Sequence, residues 1–241
     1  MPFGARDPRR IVKALVQKQH YKALFGMVRT YPEFAGCFAR YLFASGRYPY
    51  RIPLRTPQGL VKPTLYSHHD MLTVNEVFCR QDYDVRDDVG VVVDIGSNIG
   101  LSALFFLTRN SHSKCYLFEP DPANAKKVPS NLAGFEGRYV LNQEAVADQS
   151  GLLSFGSEPT GRYGGLGKET DNVIQVKCTH INEILENVLK TERTIDVLKI
   201  DTEGTEVAIV KAISKAHLAK INTIYYETNI NGEIKRMTPN A

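Results

Sequence analysis

The feature that most constrains the fold is an alternation of buried strands and helices that begins near residue 90. Residues 91–95 form a β-branched run without polar alternation, which is typical of a strand covered on both faces. Strands are also predicted at 115–119, 139–141, 173–177, 195–200 and 221–226, and helices at 98–109, 122–132, from 179 and at 203–214. Such alternation predicts an α/β, Rossmann-like fold, in which helices cover both faces of a mostly parallel sheet.

The residues before this alternation follow a different pattern. Apolar residues at three- and four-residue spacing predict two helices over residues 8–46, the second around Phe34 and Phe38. A β-hairpin with proline in both arms is predicted over residues 50–66, and a short helix capped by Asp70 follows it. These patterns divide the chain into a basic helical extension (1–48), a hairpin and helix lead-in (49–89) and the α/β domain (90–241).

Charge is distributed unevenly along the chain. Residues 1–62 carry a formal net charge of +10 and residues 63–241 carry −6. Solvated helix faces explain this asymmetry, and so does attraction to an anionic partner. The aromatic faces of the N-terminal helices must pack within the protein, on a second subunit or at a membrane surface. Peripheral membrane contact through residues 1–46 and a homo-oligomer therefore stay open.

Composition and cysteine usage place the protein in a cell compartment. The chain is 43% hydrophobic and 23% charged, as in ordinary globular proteins. No apolar stretch is long enough to span a bilayer, and the first residues lack the apolar core of a signal peptide. The four cysteines are scattered and read as reduced thiols. We expect a cytoplasmic protein, at the inner face of the membrane if it docks there.

The turn after the first buried strand is the candidate ligand site, because ligands bind beyond the carboxyl ends of strands in open α/β sheets. Its sequence, over residues 94–100, is Asp-Ile-Gly-Ser-Asn-Ile-Gly. Asn98 stands where a dinucleotide fingerprint needs glycine, and no Gly-Lys-Ser/Thr follows, which excludes that fingerprint and a phosphate loop. A merely tight turn is the alternative interpretation.

Glu119 supplies a second signal for a nucleoside ligand. It ends the second strand, 23 residues after Gly96, where nucleoside-binding folds place an acid that accepts hydrogen bonds from ribose hydroxyls. An exposed acid before Pro120 is the alternative. The two signals at compatible spacing favour the ribose role.

With these motifs the sequence resembles the FkbM family of S-adenosylmethionine-dependent methyltransferases. The matching segments are residues 93–100, 118–122, 144–148 and 198–206, with weaker likeness at Asp70, 76–78 and Tyr83. The most specific of them contains Lys-Ile-Asp-Thr-Glu-Gly-Thr-Glu. The resemblance runs from about residue 50 to 230 and leaves out residues 1–48.

The resemblance implies S-adenosylmethionine as cofactor and assigns residues to it. The methionine portion is implied to lie among Asp94, Gly96, Ser97, Asn98 and Gly100. Glu119 is implied to hold the ribose, with Pro120 and Asp121 nearby, and Glu144 and Ala145 to flank the adenine.

One departure from the general methyltransferase fold concerns the last strands. That sheet ends in an antiparallel hairpin, and the residues from Glu227 onward are too few to supply both of its strands. Either the chain is cut short there, or the hairpin around residues 152–177 reshapes that side of the sheet.

Asp201 is the candidate catalytic residue, because it follows the fourth strand and should face the methyl acceptor. An alcohol acceptor must lose its proton, and a carboxylate within hydrogen-bond reach assists that loss. Lys199 lies two residues earlier in an extended chain and points the same way, which predicts a charge pair. Glu203 shares this neighbourhood. For Glu203 and Glu206, stabilisation of a helix N-terminus is the alternative role.

Other candidates are weaker. His180 could be a base but is expected at the surface beside a helix start, and His68 and His69 lack a partner at metal-ligand spacing, so no metal is predicted. The glycine-rich residues 156–167, with Arg162 and Tyr163, are either a lid or acceptor-binding loop, or a disordered hairpin tip.

We therefore predict an O-methyltransferase that acts on a hydroxyl of a sugar, glycolipid or secondary metabolite; the preference for hydroxyl rests on the resemblance alone. One alternative is an RNA or protein methyltransferase, although residues 1–62 contain no recognisable RNA-binding motif and nucleic acid is not an expected partner. Another is a non-catalytic interaction module, against which the intact glycine turn, Glu119 and Asp201 argue. A nicotinamide-dependent oxidoreductase is excluded by the missing glycine.

Overall fold

The computed structural model describes residues 18–157, 164–228 and 233–239. The described residues form two compact units, one of residues 18–56 and 60–82 and one of residues 57–59 and those from 83 onward. The predicted boundaries at residues 48 and 89 stay predictions. Within the described ranges, every helix is too short or too polar to cross a membrane.

The first unit contains three α-helices, α1 (Lys18–Thr30), α2 (Phe34–Phe43) and α3 (His68–Val74), and a π-helical turn at Asn75–Cys79. The two predicted N-terminal helices are therefore present, and residues 8–17 of the first prediction lie outside the described residues. The predicted cap of α3 was wrong by one turn. Ser67 is the N-cap, and Asp70 completes a capping box in which its carboxylate accepts a hydrogen bond from the Ser67 N–H at 2.9 Å.

The predicted hairpin is present but interrupted. Its four short strands are β1 (Tyr50–Arg51), β2 (Leu54–Thr56), β3 (Gly59–Val61) and β4 (Thr64–Leu65). β2 pairs with β3, and β1 pairs with β4 in an antiparallel register. Each arm breaks at a proline, Pro53 or Pro63, because proline cannot donate a ladder hydrogen bond.

The second unit supplies the remaining strands and helices. The strands are β5 (Val91–Ile95), β6 (Lys114–Phe118), β7 (Tyr139–Asn142), β8 (Ala145–Ala147), β9 (Gly151–Ser157), β10 (Gly165–Leu166), β11 (Asn172–His180), β12 (Ile195–Ile200), β13 (Ile221–Thr228) and β14 (Glu233–Met237). The helices are α4 (Leu101–Leu107), α5 (Pro122–Ala125), α6 (Val128–Asn131), α7 (Ile181–Leu189), α8 (Glu206–Ala212) and α9 (Lys215–Leu218).

Six of these strands form the central sheet, in the order β14-β13-β12-β5-β6-β7. All neighbours pair in parallel except β14, which runs antiparallel to β13. The strand order reverses at β5, because β6 and β7 lie on one side of it and β12 and β13 on the other. A ligand crevice forms at such a reversal, beyond the carboxyl ends of the strands. The predicted Rossmann-like α/β fold is thereby confirmed.

The hairpin that was predicted around residues 152–177 belongs to a second sheet, in the order β10-β9-β11-β8. The hairpin of β9 and β11 pairs through β11 with β8 rather than joining the central sheet. At the edge of the central sheet, β14 supplies one antiparallel strand beside β13.

The core explains why the strands are continuous apolar runs. One face of the central sheet packs Val93, Leu198 and Ile224 against the apolar side of α7. All seven residues of α4 are buried. Burial on both faces leaves no polar alternation in the central strands.

Two predicted helices differ from the observed ones for identifiable reasons. Residues 122–132 form two short helices, because Pro129 cannot donate to a carbonyl one turn earlier. The helix predicted from Glu203 begins at Glu206, because Glu203 and Gly204 adopt φ angles of +62° and +136°, which no right-handed helix accommodates.

Candidate active site

A buried ion pair joins the ends of β5 and β12. Asp94 and Lys199 are register partners on these neighbouring strands, and they are 0% and 3% exposed. The Lys199 Nζ lies 2.9 Å from the Asp94 Oδ1 and donates to the Gly96 carbonyl oxygen at 2.8 Å. The Ser102 hydroxyl donates to the other Asp94 oxygen at 2.6 Å. Both charges are therefore compensated, as groups removed from water require.

Lys199 is a cation in this setting rather than a proton acceptor. Burial lowers its pKa, but the carboxylates of Asp94 and Asp201 more than offset burial, and the net pKa lies above the ordinary lysine value. The Lys199 Nζ is also 3.6 Å from the Asp201 Oδ2, so the predicted charge pair is present.

Gly96 is required by the close approach of two loops. Its φ is +76°, and a Cβ there would lie 1.8 Å from the carbonyl oxygen of Asp201. The Asp201 N–H donates to the Ile95 carbonyl at 3.0 Å, which ties the same two loops together. Only glycine avoids both the steric clash and the conformational strain. Gly96 is therefore needed for the packing of these two loops, whether or not it also contacts a ligand.

Glu119 connects the loops that follow β5 and β6. Its Oε2 accepts a hydrogen bond from the Asn98 N–H at 2.8 Å, and its Oε1 accepts one from the Asp121 N–H at 2.9 Å. The side chain is 5% exposed. Burial raises the pKa of Glu119 to about 7, against the two backbone donors, which lower it. The alternative interpretation, that Glu119 is an exposed acid before Pro120, is therefore wrong.

Two other predicted cofactor residues are engaged in structural hydrogen bonds. Asp121 is the N-cap of α5, accepting from the Ala123 N–H at 2.8 Å, and its second oxygen accepts from the Ser157 hydroxyl at 2.6 Å. Glu144 accepts from the Thr179 hydroxyl at 2.7 Å and lies 2.6 Å from the Lys177 Nζ. Their predicted cofactor roles stay predictions.

A cluster of carboxylates lies where β12 and β13 end. Oxygens of Asp201, Glu203 and Glu227 lie within 4.8 Å of one another. The Asp201 side chain is 38% exposed, and the Nζ of Lys168, the residue that follows the glycine-rich residues 156–167, lies 3.3 Å from Glu203. Three carboxylates in this arrangement are able to accept several hydroxyl donors or a divalent cation. The prediction that the reaction needs no metal stays a prediction.

Sequence reasoning missed Glu227. Its signal was available, because an acid near the end of the last predicted strand reaches the same sheet edge as Asp201. The predicted strand stopped at Tyr226, whereas β13 continues to Thr228.

The remaining candidates are accounted for locally. Glu206 is 2% exposed and accepts from the Thr202 N–H at 2.8 Å and the Gly204 N–H at 3.0 Å, so it holds the start of α8. His180 is the N-cap of α7, where its ring nitrogen accepts from the Asn182 N–H at 3.1 Å. Arg162 and Tyr163 lie outside the described residues.

Comparison with known families matches this region of the chain. The family model described as the methyltransferase FkbM domain covers residues 94–238, which include the glycine turn, Glu119, the Lys199 strand and Glu227. The chain belongs to the FkbM methyltransferase family. Its activity is accordingly that of an S-adenosylmethionine-dependent methyltransferase.

Named relatives of this FkbM methyltransferase come from different organisms. The hexuronic acid methyltransferase AglP of Haloferax volcanii is 25% identical over 180 residues, which are 73% of this chain and 73% of that protein. The methyltransferase sdnD of Sordaria araneosa is 23% identical and covers 64% of this chain and 72% of its own length. The 2-O-methyltransferase NoeI of Sinorhizobium fredii is 28% identical, over 57% of this chain and 62% of its own.

Solved structures are more distant. A putative caffeoyl-CoA O-methyltransferase from Staphylococcus aureus matches with a TM-score of 0.36 and 14% identity, over 58% of this chain and 50% of that one. A putative RNA methyltransferase from Pyrococcus horikoshii matches with a TM-score of 0.31 and 12% identity, over 58% of this chain and 51% of that one. This FkbM methyltransferase thus spans about half the length of each.

The residues around the glycine turn are compatible with a nucleoside cofactor. The Ser97 hydroxyl is buried, and no partner for it occurs among the described residues. Each Glu119 oxygen receives one backbone N–H in the described structure, and a carboxylate oxygen accepts more than one hydrogen bond. A buried hydroxyl such as that of Ser97 is costly without a partner, and the polar groups of a ligand would satisfy it and would also use the remaining acceptor capacity of Glu119.

Proposed function

We propose that this methyltransferase methylates a hydroxyl group of a sugar, glycolipid or secondary metabolite. The observation that carries the proposal is the position of the Asp201, Glu203 and Glu227 carboxylates at the sheet edge, beside the glycine turn. Carboxylates accept hydrogen bonds from hydroxyls, which are the donors that a sugar presents. The printed names of the relatives AglP and NoeI, a hexuronic acid methyltransferase and a 2-O-methyltransferase, support this substrate class.

In the proposed cofactor site, Glu119 accepts hydrogen bonds from the ribose hydroxyls. The methionine portion lies among Asp94, Ser97 and Asn98. When bound, S-adenosylmethionine supplies an electrophilic methyl group on a sulfonium. Lys199 neutralises Asp94 at 2.9 Å and fixes the turn through the Gly96 carbonyl at 2.8 Å. The role of Lys199 is therefore to position the residues that meet the cofactor.

Asp201 is the proposed proton acceptor. It combines partial exposure, at 38%, with attachment to the glycine turn through its backbone N–H. A carboxylate held there orients the acceptor hydroxyl and takes its proton as the oxygen becomes methylated. Glu203 and Glu227 are proposed to accept hydrogen bonds from other hydroxyls of the same acceptor.

The charges at this edge favour an uncharged acceptor. Among the described residues at this edge, Asp94, Asp201, Glu203 and Glu227 carry four negative charges, against the two positive charges of Lys199 and Lys168. An anionic acceptor would meet net repulsion at short range. We therefore propose a neutral polyhydroxylated acceptor in preference to a hexuronate, although one relative is named for a hexuronic acid.

A labelled-methyl transfer assay tests the proposal. Neutral hexosides, hexuronides and RNA would be offered as acceptors, and we expect methylation of a neutral hexoside. Asp201→Asn should lower turnover by roughly 100-fold while S-adenosylhomocysteine still binds.

Glu192→Gln is the matched control, because Glu192 pairs with Lys114 at 2.7 Å at the amino end of β6, remote from the carboxyl edge. It should leave turnover unchanged. Full turnover in Asp201→Asn would remove Asp201 from the reaction, and transfer to RNA alone would overturn the acceptor class.

A further inference from the structure

The outward face of α1 in the first unit is apolar and exposed. Leu24, Phe25 and Val28 are 41%, 64% and 50% exposed. Val28 is four residues after Leu24 and three after Phe25, and residues at these spacings are neighbours on a helix surface, so these three form one stripe. Exposed apolar residues are ordinary one at a time, whereas a contiguous stripe marks an interaction surface.

The opposite face of α1 is already packed. A Cβ on Gly26 would lie 1.9 Å from the Cys79 carbonyl oxygen, so the helix backbone lies directly against that segment. Met27 and Thr30 are 3% and 6% exposed, and the Thr30 hydroxyl donates to the Phe78 carbonyl at 3.4 Å. The orientation of α1 is therefore set by its inner face, and the outer stripe contributes little to this core.

Positive charge accompanies the stripe. The Arg29 guanidinium lies 5.7 Å from the centre of the Phe25 ring. The sequence of α1 contains Lys18, Lys22 and Arg29 and no acidic residue. Residues 1–62 as a whole carry a net charge of +10. An apolar stripe with cations beside it is complementary to a bilayer surface that contains anionic lipid.

We propose that the outer stripe of α1, formed by Leu24, Phe25 and Val28 with Arg29 beside it, docks the enzyme on an anionic membrane surface. The aromatic side chain enters the interfacial region, and the arginine pairs with lipid phosphate. Leu42 and Phe43, near the end of α2, are 38% and 66% exposed and are further apolar residues of the same unit. The proposal does not depend on which molecule is methylated.

Vesicle flotation with the full chain tests the proposal. The probes are vesicles of phosphatidylcholine alone and of phosphatidylcholine mixed with phosphatidylglycerol, at low and at physiological salt. We expect flotation with the mixed vesicles and weaker binding as salt increases. Phe25→Ser should weaken partitioning roughly tenfold, because a large apolar side chain no longer enters the interface. Arg29→Gln should weaken it about fivefold, the effect of one cation near an anionic surface.

Leu152→Ser is the matched control, since Leu152 is 70% exposed in the second unit. It should float as the unchanged protein does, and thermal unfolding should show that all three variants are folded. Flotation that Phe25→Ser leaves unchanged would assign binding to other basic residues and overturn the proposal for this stripe. A dimer that Phe25→Ser dissociates, seen by size exclusion with light scattering, would identify the stripe as a subunit interface instead. Absence of flotation in the unchanged protein would also overturn the proposal.

Discussion

Replacement of Lys199 by methionine tests whether the buried ion pair holds together the strand ends on which the site is built. Lys199 and Asp94 are 3% and 0% exposed, so the variant leaves a carboxylate in the interior without its cation. Removal of one member of a buried pair costs about 3–5 kcal/mol. A domain has a total stability of about 5–15 kcal/mol, so this is a large fraction of it. Urea denaturation followed by circular dichroism should show this decrease in the free energy of unfolding.

Two further variants make the result interpretable. The double variant Asp94→Asn with Lys199→Met removes both charges and should recover most of the lost stability. Lys114→Met breaks the partly exposed pair with Glu192 and should cost at most about 1 kcal/mol. A loss below about 1 kcal/mol in Lys199→Met, or a double variant no more stable than the single one, would refute the reasoning. Because the folded-state pKa of Lys199 is raised, the stabilisation is full below the unfolded-state pKa and is lost only as pH rises through the folded-state value.

Three further predictions concern the cofactor side and the carboxylate cluster. In the proposed ribose role, the ionised form of Glu119 accepts hydrogen bonds from the cofactor, and the pKa of Glu119 is about 7, so affinity for S-adenosylhomocysteine should increase as pH rises through 7. In Glu119→Gln, calorimetry should find that pH dependence absent and binding weaker by about 1–3 kcal/mol. Gly96→Ala should abolish cofactor binding or folding, since the added Cβ would lie 1.8 Å from the Asp201 carbonyl oxygen. Gly134→Ala is the control, because Gly134 has a φ of +91° and no atom of the described residues lies within 4 Å of its added Cβ. It should lower stability in thermal unfolding by only about 1 kcal/mol, the cost of backbone strain. A chelator should leave turnover unchanged if the carboxylates bind acceptor hydroxyls, and activity restored by added Mg²⁺ or Mn²⁺ after chelation would show that they bind a metal instead.

Local sequence signals were sufficient for the architecture. The β-branched run at β5 and the strand–helix rhythm after it predicted the parallel sheet, because a strand buried on both faces has no place for alternating polar residues. The motif at the end of β12 and the turn that contains Gly96 were also identified as candidate site segments from the amino-acid sequence alone. Helix limits were less predictable. The observed limits depend on single residues such as Glu203 and Pro129, whose effect on the backbone overrides the periodicity around them.

The fate of each charged side chain was decided by the tertiary structure. Nothing near Asp94 in the sequence shows that its partner is Lys199, because the pairing arises only when β5 and β12 become neighbours in register. Glu227 joins Asp201 for the same reason, through the pairing of β13 with β12. Glu144 and Asp121, which the family resemblance implied to lie at the cofactor, accept hydrogen bonds from Thr179 and Ser157 of the second sheet, and no local signal predicted these partners. Strand propensity and turn chemistry depend on a few neighbouring residues, so they can be predicted from the sequence. Electrostatic and hydrogen-bond partners depend on distances in space, and those distances are established only when the sheets pack.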